Sequence, residues 1–142
     1  MNRFYPLLLV SISLFVAMPS AAFAGKLEDI QTTLNQSREQ TMAMLSETDK
    51  TALQMRYEAA LASSKGVDVK LQRALADPAL QAQHAQLVEF KQVWDVFKAT
   101  RDQKIVPLLM AGKQDEGRAL ARTVQLPRFK RMNDLLDAAR SK

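Results

Sequence analysis

Residues 77–112, DPALQAQHAQLVEFKQVWDVFKATRDQKIVPLLMAG, decide the fold because they contain the start, the inward face and the end of one helix. Asp77 can cap the start, and Pro78 in the first turn loses no hydrogen bond that the helix would have made. Gly112 stands where a left-handed residue closes such a helix. The inward face recurs at helical spacing. It consists of Leu80, Leu87, Phe90, Trp94, Phe97, Arg101, Ile105 and Leu108.

Three further segments show the same periodicity. The first extends to about Ser46, and the second begins at the side-chain oxygens of residues 46–49, which can accept the free amide hydrogens of a helix start. The last begins soon after Gly112. Their inward faces are, in chain order, Leu27, Ile30, Leu34, Thr41 and Leu45; Leu53, Tyr57, Ala60, Val67, Leu71 and Leu75; and Leu120, Val124, Phe129, Met132, Leu135 and Leu136.

The composition of residues 25–142 favours an all-helical domain, since Ala, Leu, Gln, Lys and Arg are abundant and glycine is scarce. Four amphipathic helices joined by short turns predict an all-α, up-down-up-down antiparallel four-helix bundle. Pro107 and Pro127 lie inside two of these helices. Each removes a backbone donor and clashes with the preceding turn, so we expect a kink or a local break at both positions.

Residues 1–24 have the three parts of a cleavable signal peptide. Arg3 supplies the positive start, residues 7–18 form the apolar run, and Ala22 and Ala24 are the small residues before the cut. The apolar run is shorter than the about 20 residues that a membrane-crossing helix needs. We therefore expect cleavage after Ala24, a periplasmic or secreted protein, and no membrane span after cleavage.

Charge and cysteine content bear on the partners and on the forces that hold the domain. The 20 basic and 15 acidic residues give a net charge of +5, and they are interspersed along the chain. Because they form no basic stripe, we expect no nucleic-acid partner. The chain has no cysteine, so packing must hold the domain without disulfides or a thiolate-bound metal.

Arg101 and Trp94 are the candidate ligand-binding residues, because they share the inward face with Phe97. One interpretation of Arg101 is a structural ion pair with a carboxylate from another helix, or a head group that reaches solvent. The other interpretation is that Arg101 faces a cavity or a subunit interface and binds the carboxylate of a small molecule. Trp94 is then the floor of that pocket, or else an ordinary core residue.

The sequence offers little for metal binding or catalysis. His84 is the only histidine, which excludes two-histidine zinc and di-iron sites. An alternative function pairs it with a methionine as ligands of copper(I) or of non-covalent haem, although methionines also fill gaps in cores. The methionines are Met42, Met44, Met55, Met110 and Met132. We expect no metal and no cofactor. Neither a phosphate loop, nor a nucleophile elbow, nor His-Glu-x-x-His occurs, so we expect no catalytic residues and no enzymatic activity.

The stretch from residue 94 to residue 139 resembles the four-helix-bundle ligand-sensing domain of methyl-accepting chemotaxis receptors. The matching segments are Thr100-Arg101-Asp102, Ile105-Val-Pro-Leu-Leu-Met-Ala-Gly112, Asp115-Glu116, Ala119, Pro127 and Leu135-Leu136-Asp137-Ala138. The resemblance implies a periplasmic bundle, often dimeric, that senses small solutes such as organic or amino acids. It also implies that Arg101 is the residue that contacts the solute.

The resemblance is incomplete, because such receptors continue into a second membrane helix and a cytoplasmic signalling rod, whereas this sequence ends at Lys142. We therefore expect a stand-alone exported domain that binds a small carboxylate and acts through a receptor partner or as a homodimer. A structural interaction protein without a ligand is a further alternative.

Overall fold

The computed structural model describes residues 20–142, and all regular elements among these residues are helical. The elements are α1 (Ser20–Ser46), α2 (Lys50–Leu75), a 3₁₀ segment (Pro78–Gln83), α3 (His84–Thr100), a π-turn (Arg101–Ile105), α4 (Val106–Met110), α5 (Gln114–Leu120), a second π-turn (Ala121–Gln125) and α6 (Leu126–Arg140). Residues 78–110, which include a kink at Leu80 (φ −105°, ψ 17°), are called the third helix; residues 114–140 are called the fourth helix. The predicted all-α class is confirmed. Within the described part of the chain, no helix combines the length and the apolar character needed to cross a membrane.

Most of the predicted signal peptide, residues 1–19, lies outside the described residues. α1 begins at Ser20, and it therefore runs through the predicted cleavage site after Ala24. Phe23 packs against the core, so cleavage at that site would remove this contact. The signal peptide stays a prediction.

The helix ends lie where local chemistry predicts them. Asp49 accepts a hydrogen bond from the backbone N–H of Ala52 at 2.8 Å, which satisfies one free donor at the start of α2. Asp77 likewise accepts a hydrogen bond from the backbone N–H of Ala79 at 3.0 Å, at the start of the 3₁₀ segment. Gly112 has φ 77°, a conformation that favours glycine, and it closes the third helix as expected.

Both internal prolines are preceded by a π-turn at the same offset. The π-turn of residues 101–105 comes just before Pro107, and the π-turn of residues 121–125 comes just before Pro127. A π-turn adds one residue to a helical turn, and this moves the preceding turn away from the proline ring. The π-turn ends at the position where the proline has no N–H to donate. The kinks or breaks that we expected at Pro107 and Pro127 therefore take the form of π-turns, and both helices continue beyond them.

The core consists of two apolar clusters. The first cluster includes Leu34, Trp94 and Met132, and the second includes Met44 and Ile105. Buried polar residues also lie in the interior. They include Ser37 and Ser64, which are joined across α1 and α2 at 3.1 Å, and Arg101, which is fully buried. A buried polar group without a hydrogen-bond partner is costly, and among the described residues the side-chain oxygen of Gln83 is in this position.

Candidate functional site

Arg101 is the centre of a buried polar network. Its Nε donates to Asp102 Oδ1 at 2.7 Å, and its Nη1 donates to Ser64 Oγ at 2.7 Å. Ser64 in turn contacts Ser37, so the network joins three helices. Burial raises the pKa of Tyr57 above its ordinary value of 10.0, and the neighbouring Asp102 carboxylate raises it further. In this network, protein oxygens accept hydrogen bonds from both the Nε and the Nη1 of Arg101.

Trp94, like Arg101, is fully buried and forms a hydrogen bond with another side chain of the protein. Its Nε1 donates to Asp68 Oδ1 at 2.7 Å, and its ring stacks on Phe97 at a centroid distance of 5.6 Å. Lys98 Nζ donates to the same Asp68 oxygen and lies 5.4 Å from the Trp94 ring centroid. Trp94 thus anchors the third helix to α2.

Neither Arg101 nor Trp94 lines the groove between α1 and the fourth helix, and both are fully buried. The geometry of Arg101 supports the interpretation of a structural ion pair. Its carboxylate partner, however, is Asp102 of the same helix, not a residue of another helix as we had expected. A ligand contact at Arg101 or Trp94 stays a prediction without support from these contacts.

His84, the candidate haem or copper ligand, is exposed at the start of α3. Among residues 20–142, no group of three or more His, Cys, Asp or Glu side chains could hold a metal ion. Of the candidate methionines, Met44 and Met132 are buried, whereas Met42 and Met55 are exposed. His84 and the buried methionines thus differ in their access to solvent, and nothing in the placement favours a haem site between them.

A groove of about 490 Å³ runs between residues 38–46 of α1 and residues 118–129 of the fourth helix, with Phe97 of α3 as a third wall. This volume lies within the range of small-molecule sites, which hold about 300–1,000 Å³. Its surface is mainly apolar. The large apolar side chains that line it are Met42, Leu45, Phe97, Leu126 and Phe129.

Three arginines line the same groove. Arg118 is engaged, because it donates to the Leu45 carbonyl at 3.1 Å and to Asp115 Oδ1 at 2.8 Å. The guanidinium of Arg38 lies 4.7 Å from the centroid of the Phe129 ring, a cation–π contact. Within residues 20–142, neither Arg38 nor Arg122 has an acidic partner. The groove therefore carries positive charge that protein carboxylates do not neutralise.

The second π-turn forms part of the groove wall and ties it to the third helix. Gln125 is buried in this turn, and its Nε2 donates to the Phe97 carbonyl at 2.8 Å. Arg128 bridges the Oε1 of Gln125 and the hydroxyl of Thr100, at 3.2 Å and 2.7 Å. Because π-turns often occur at functional sites, their presence here adds weight to the groove as the candidate site.

The sequence analysis missed Arg38, Arg122 and Phe129 as groove residues. One signal could have narrowed the search: Arg38 and Arg122 have no acidic residue three or four positions away. Lys91 and Lys130, by contrast, pair with an aspartate at the fourth position. Helical spacing therefore marks these arginines only as candidates, because Arg56 also lacks such a neighbour and pairs with Glu47 across the turn between α1 and α2.

No protein-family model matches the chain, and neither does any curated protein or any solved structure.

Proposed function

We propose that this protein is an exported binding or sensory module that holds a small carboxylate in the groove between α1 and the fourth helix. The observation that carries the proposal is the pair of arginines, Arg38 and Arg122, which have no acidic partner among residues 20–142 and line a mainly apolar groove. A guanidinium offers two parallel donors that match a carboxylate, and low-polarity surroundings strengthen that attraction. The proposal assigns no catalytic role to the chain.

The proposed architecture is an up-down-up-down antiparallel four-helix bundle. The contacts between α1 and α2 occur in reversed order, since Lys26 pairs with Asp77 while Ser37 contacts Ser64. Short connections of three residues or fewer separate the four helices, and such connections favour antiparallel neighbours. In this arrangement the groove is a seam between the first and last helices.

The relationship to chemotaxis-receptor sensor domains is part of the proposal. It is supported by the motifs between residues 94 and 139 and by the four-helix composition. In this proposal the leader of residues 1–24 directs the chain to the periplasm or out of the cell. Ligand occupancy is then read by a receptor partner or through a homodimer.

The decisive experiment is a thermal-shift screen of the purified protein against a panel of organic acids and amino acids, followed by calorimetric titration of each hit. A ligand that binds only the native state raises Tm in proportion to its saturation, so at least one compound is expected to raise it. Arg122→Gln should abolish the shift, because it removes a guanidinium that lines the groove. Arg122 is an exposed residue.

Arg73→Gln is the matched control, since Arg73 is an exposed arginine on α2, outside the groove. It removes the same charge from the protein and should leave the shift unchanged. If no compound raises Tm, or if both variants lose the shift equally, the groove is not the binding site that we propose.

A further inference from the structure

The charges around the groove also distinguish between two classes of acid. Organic acids and amino acids both present a carboxylate, but an amino acid adds an ammonium group beside it. The described residues that line the groove include three arginines and no aspartate or glutamate. Arg118 is paired with Asp115, but a bound ammonium would still meet the like charges of Arg38 and Arg122, and no carboxylate among the described lining residues offsets them.

The neutral polar groups of the groove are poor replacements for a carboxylate. The hydroxyl groups of Thr41 and Ser46 each donate their hydrogen to a backbone carbonyl of their own helix. The Oε1 of Gln125 accepts from Arg128, and its Nε2 donates to the Phe97 carbonyl. An ammonium that leaves water for this groove would lose hydration without gaining full pairing, which is an unfavourable exchange.

The walls favour a ligand with an apolar body. Phe97, which is 3% exposed, and Phe129, over whose ring the Arg38 guanidinium lies, contribute aromatic carbon, and Leu45 adds a branched aliphatic side chain. At the rim, Met42 and Leu126 are 49% and 50% exposed, so a ligand that covers them would remove large apolar side chains from water. A small, fully hydrated acid such as succinate would leave these side chains uncovered.

We infer that the groove selects carboxylates with an apolar body and no ammonium group, with Arg38 and Arg122 at the carboxylate and the two phenylalanine rings at the body. This inference rests on the proposed function. It makes the protein a receptor for aromatic or medium-chain alkyl acids and not for amino acids.

Three compounds with the same phenylalkyl skeleton test the inference. Phenylpropionate carries only the carboxylate, phenylalanine carries both charged groups, and phenethylamine carries only the ammonium. In calorimetric titrations of the purified protein, phenylpropionate should bind at least tenfold more tightly than phenylalanine, and phenethylamine should not bind. Octanoate should also bind, because it has the same carboxylate and an apolar body without a ring.

Arg122→Gln should weaken phenylpropionate binding at least tenfold, while Arg73→Gln should leave it unchanged, with circular dichroism showing that both variants keep the native helix content. Phenylalanine binding as tightly as phenylpropionate would overturn the selectivity but leave the proposed function intact. Binding of succinate or another hydrophilic acid, without binding of phenylpropionate or octanoate, would likewise overturn the selectivity and leave the proposed function intact. If no acid of any class binds, the inference and the proposed function both fail.

Discussion

Substitution of Arg101 tests whether this buried residue serves stability or ligand binding. Truncation to alanine removes three hydrogen bonds, two to Asp102 and one to Ser64, and it leaves a cavity in the interior. Asp102 is 30% exposed, so water can replace its lost partner, and Ser64 keeps its bond to the Ala60 carbonyl. The loss of polar interactions is therefore partial, and the cavity becomes the larger cost.

The magnitude follows from these contributions. Truncation of a large buried side chain to alanine costs about 2–5 kcal/mol, and the relief of a desolvated guanidinium offsets part of this. We expect Arg101→Ala to lower the free energy of unfolding by about 3 kcal/mol, which corresponds to a drop in Tm of roughly 10 °C. Arg101→Met refills the space of the aliphatic stem, so its cost should be about 1 kcal/mol.

The assay is urea denaturation followed by circular dichroism at the helix band, with phenylpropionate titrations of the folded variants. Arg101→Met should keep the ligand affinity of the parent protein, because Arg101 lies outside the groove. The reasoning is refuted if Arg101→Ala costs less than about 1 kcal/mol, or if Met is no better than Ala. Loss of ligand binding in a stable Arg101→Met variant would restore Arg101 as the ligand contact.

Three other predictions concern local chemistry. Gly112→Ala should destabilise the protein by about 1 kcal/mol, because φ is positive there; an unchanged urea midpoint contradicts this. Burial, aided by Asp102, raises the pKa of Tyr57, so the native state holds that proton more tightly than the unfolded chain. The resulting stability is present below pH 10.0 and is lost as pH rises above it, and Tyr57→Phe should flatten this decline in urea midpoints measured against pH. Finally, the intact mass of the exported protein should correspond to a chain beginning at Gly25; a mass that includes Met1 would disprove cleavage.

Much of the fold could be predicted because its signals are local. Asp77 caps a helix through its own neighbouring amides, and Gly112 closes one through its own backbone conformation. The inward faces were also predictable, since a period of 3.6 residues places Leu87, Phe90 and Trp94 on one side of any straight helix. Two helices that contain internal prolines continue through π-turns, which the sequence analysis had anticipated only as kinks or breaks.

The candidate site was less accessible from the sequence. Arg38 and Phe97 are far apart in the chain, and both lie far from Arg122, yet all three line one groove. Their proximity depends on how helices pack, and that is not encoded in the spacing within any one helix. Arg101 drew attention because it interrupts an apolar face, but such an interruption does not reveal which groups satisfy the guanidinium.

The sequence by itself determined the helical class, most of the helix ends and most of the residues that face inward, because these properties arise from hydrogen bonds and side-chain periodicity over a few residues. Only the tertiary structure decided that Arg101 donates to Ser64 of α2, while Arg38 and Arg122 line the groove without a carboxylate partner among the described residues. The physical reason is that the pairing of a charge depends on distances between segments remote in the chain, and packing alone sets those distances.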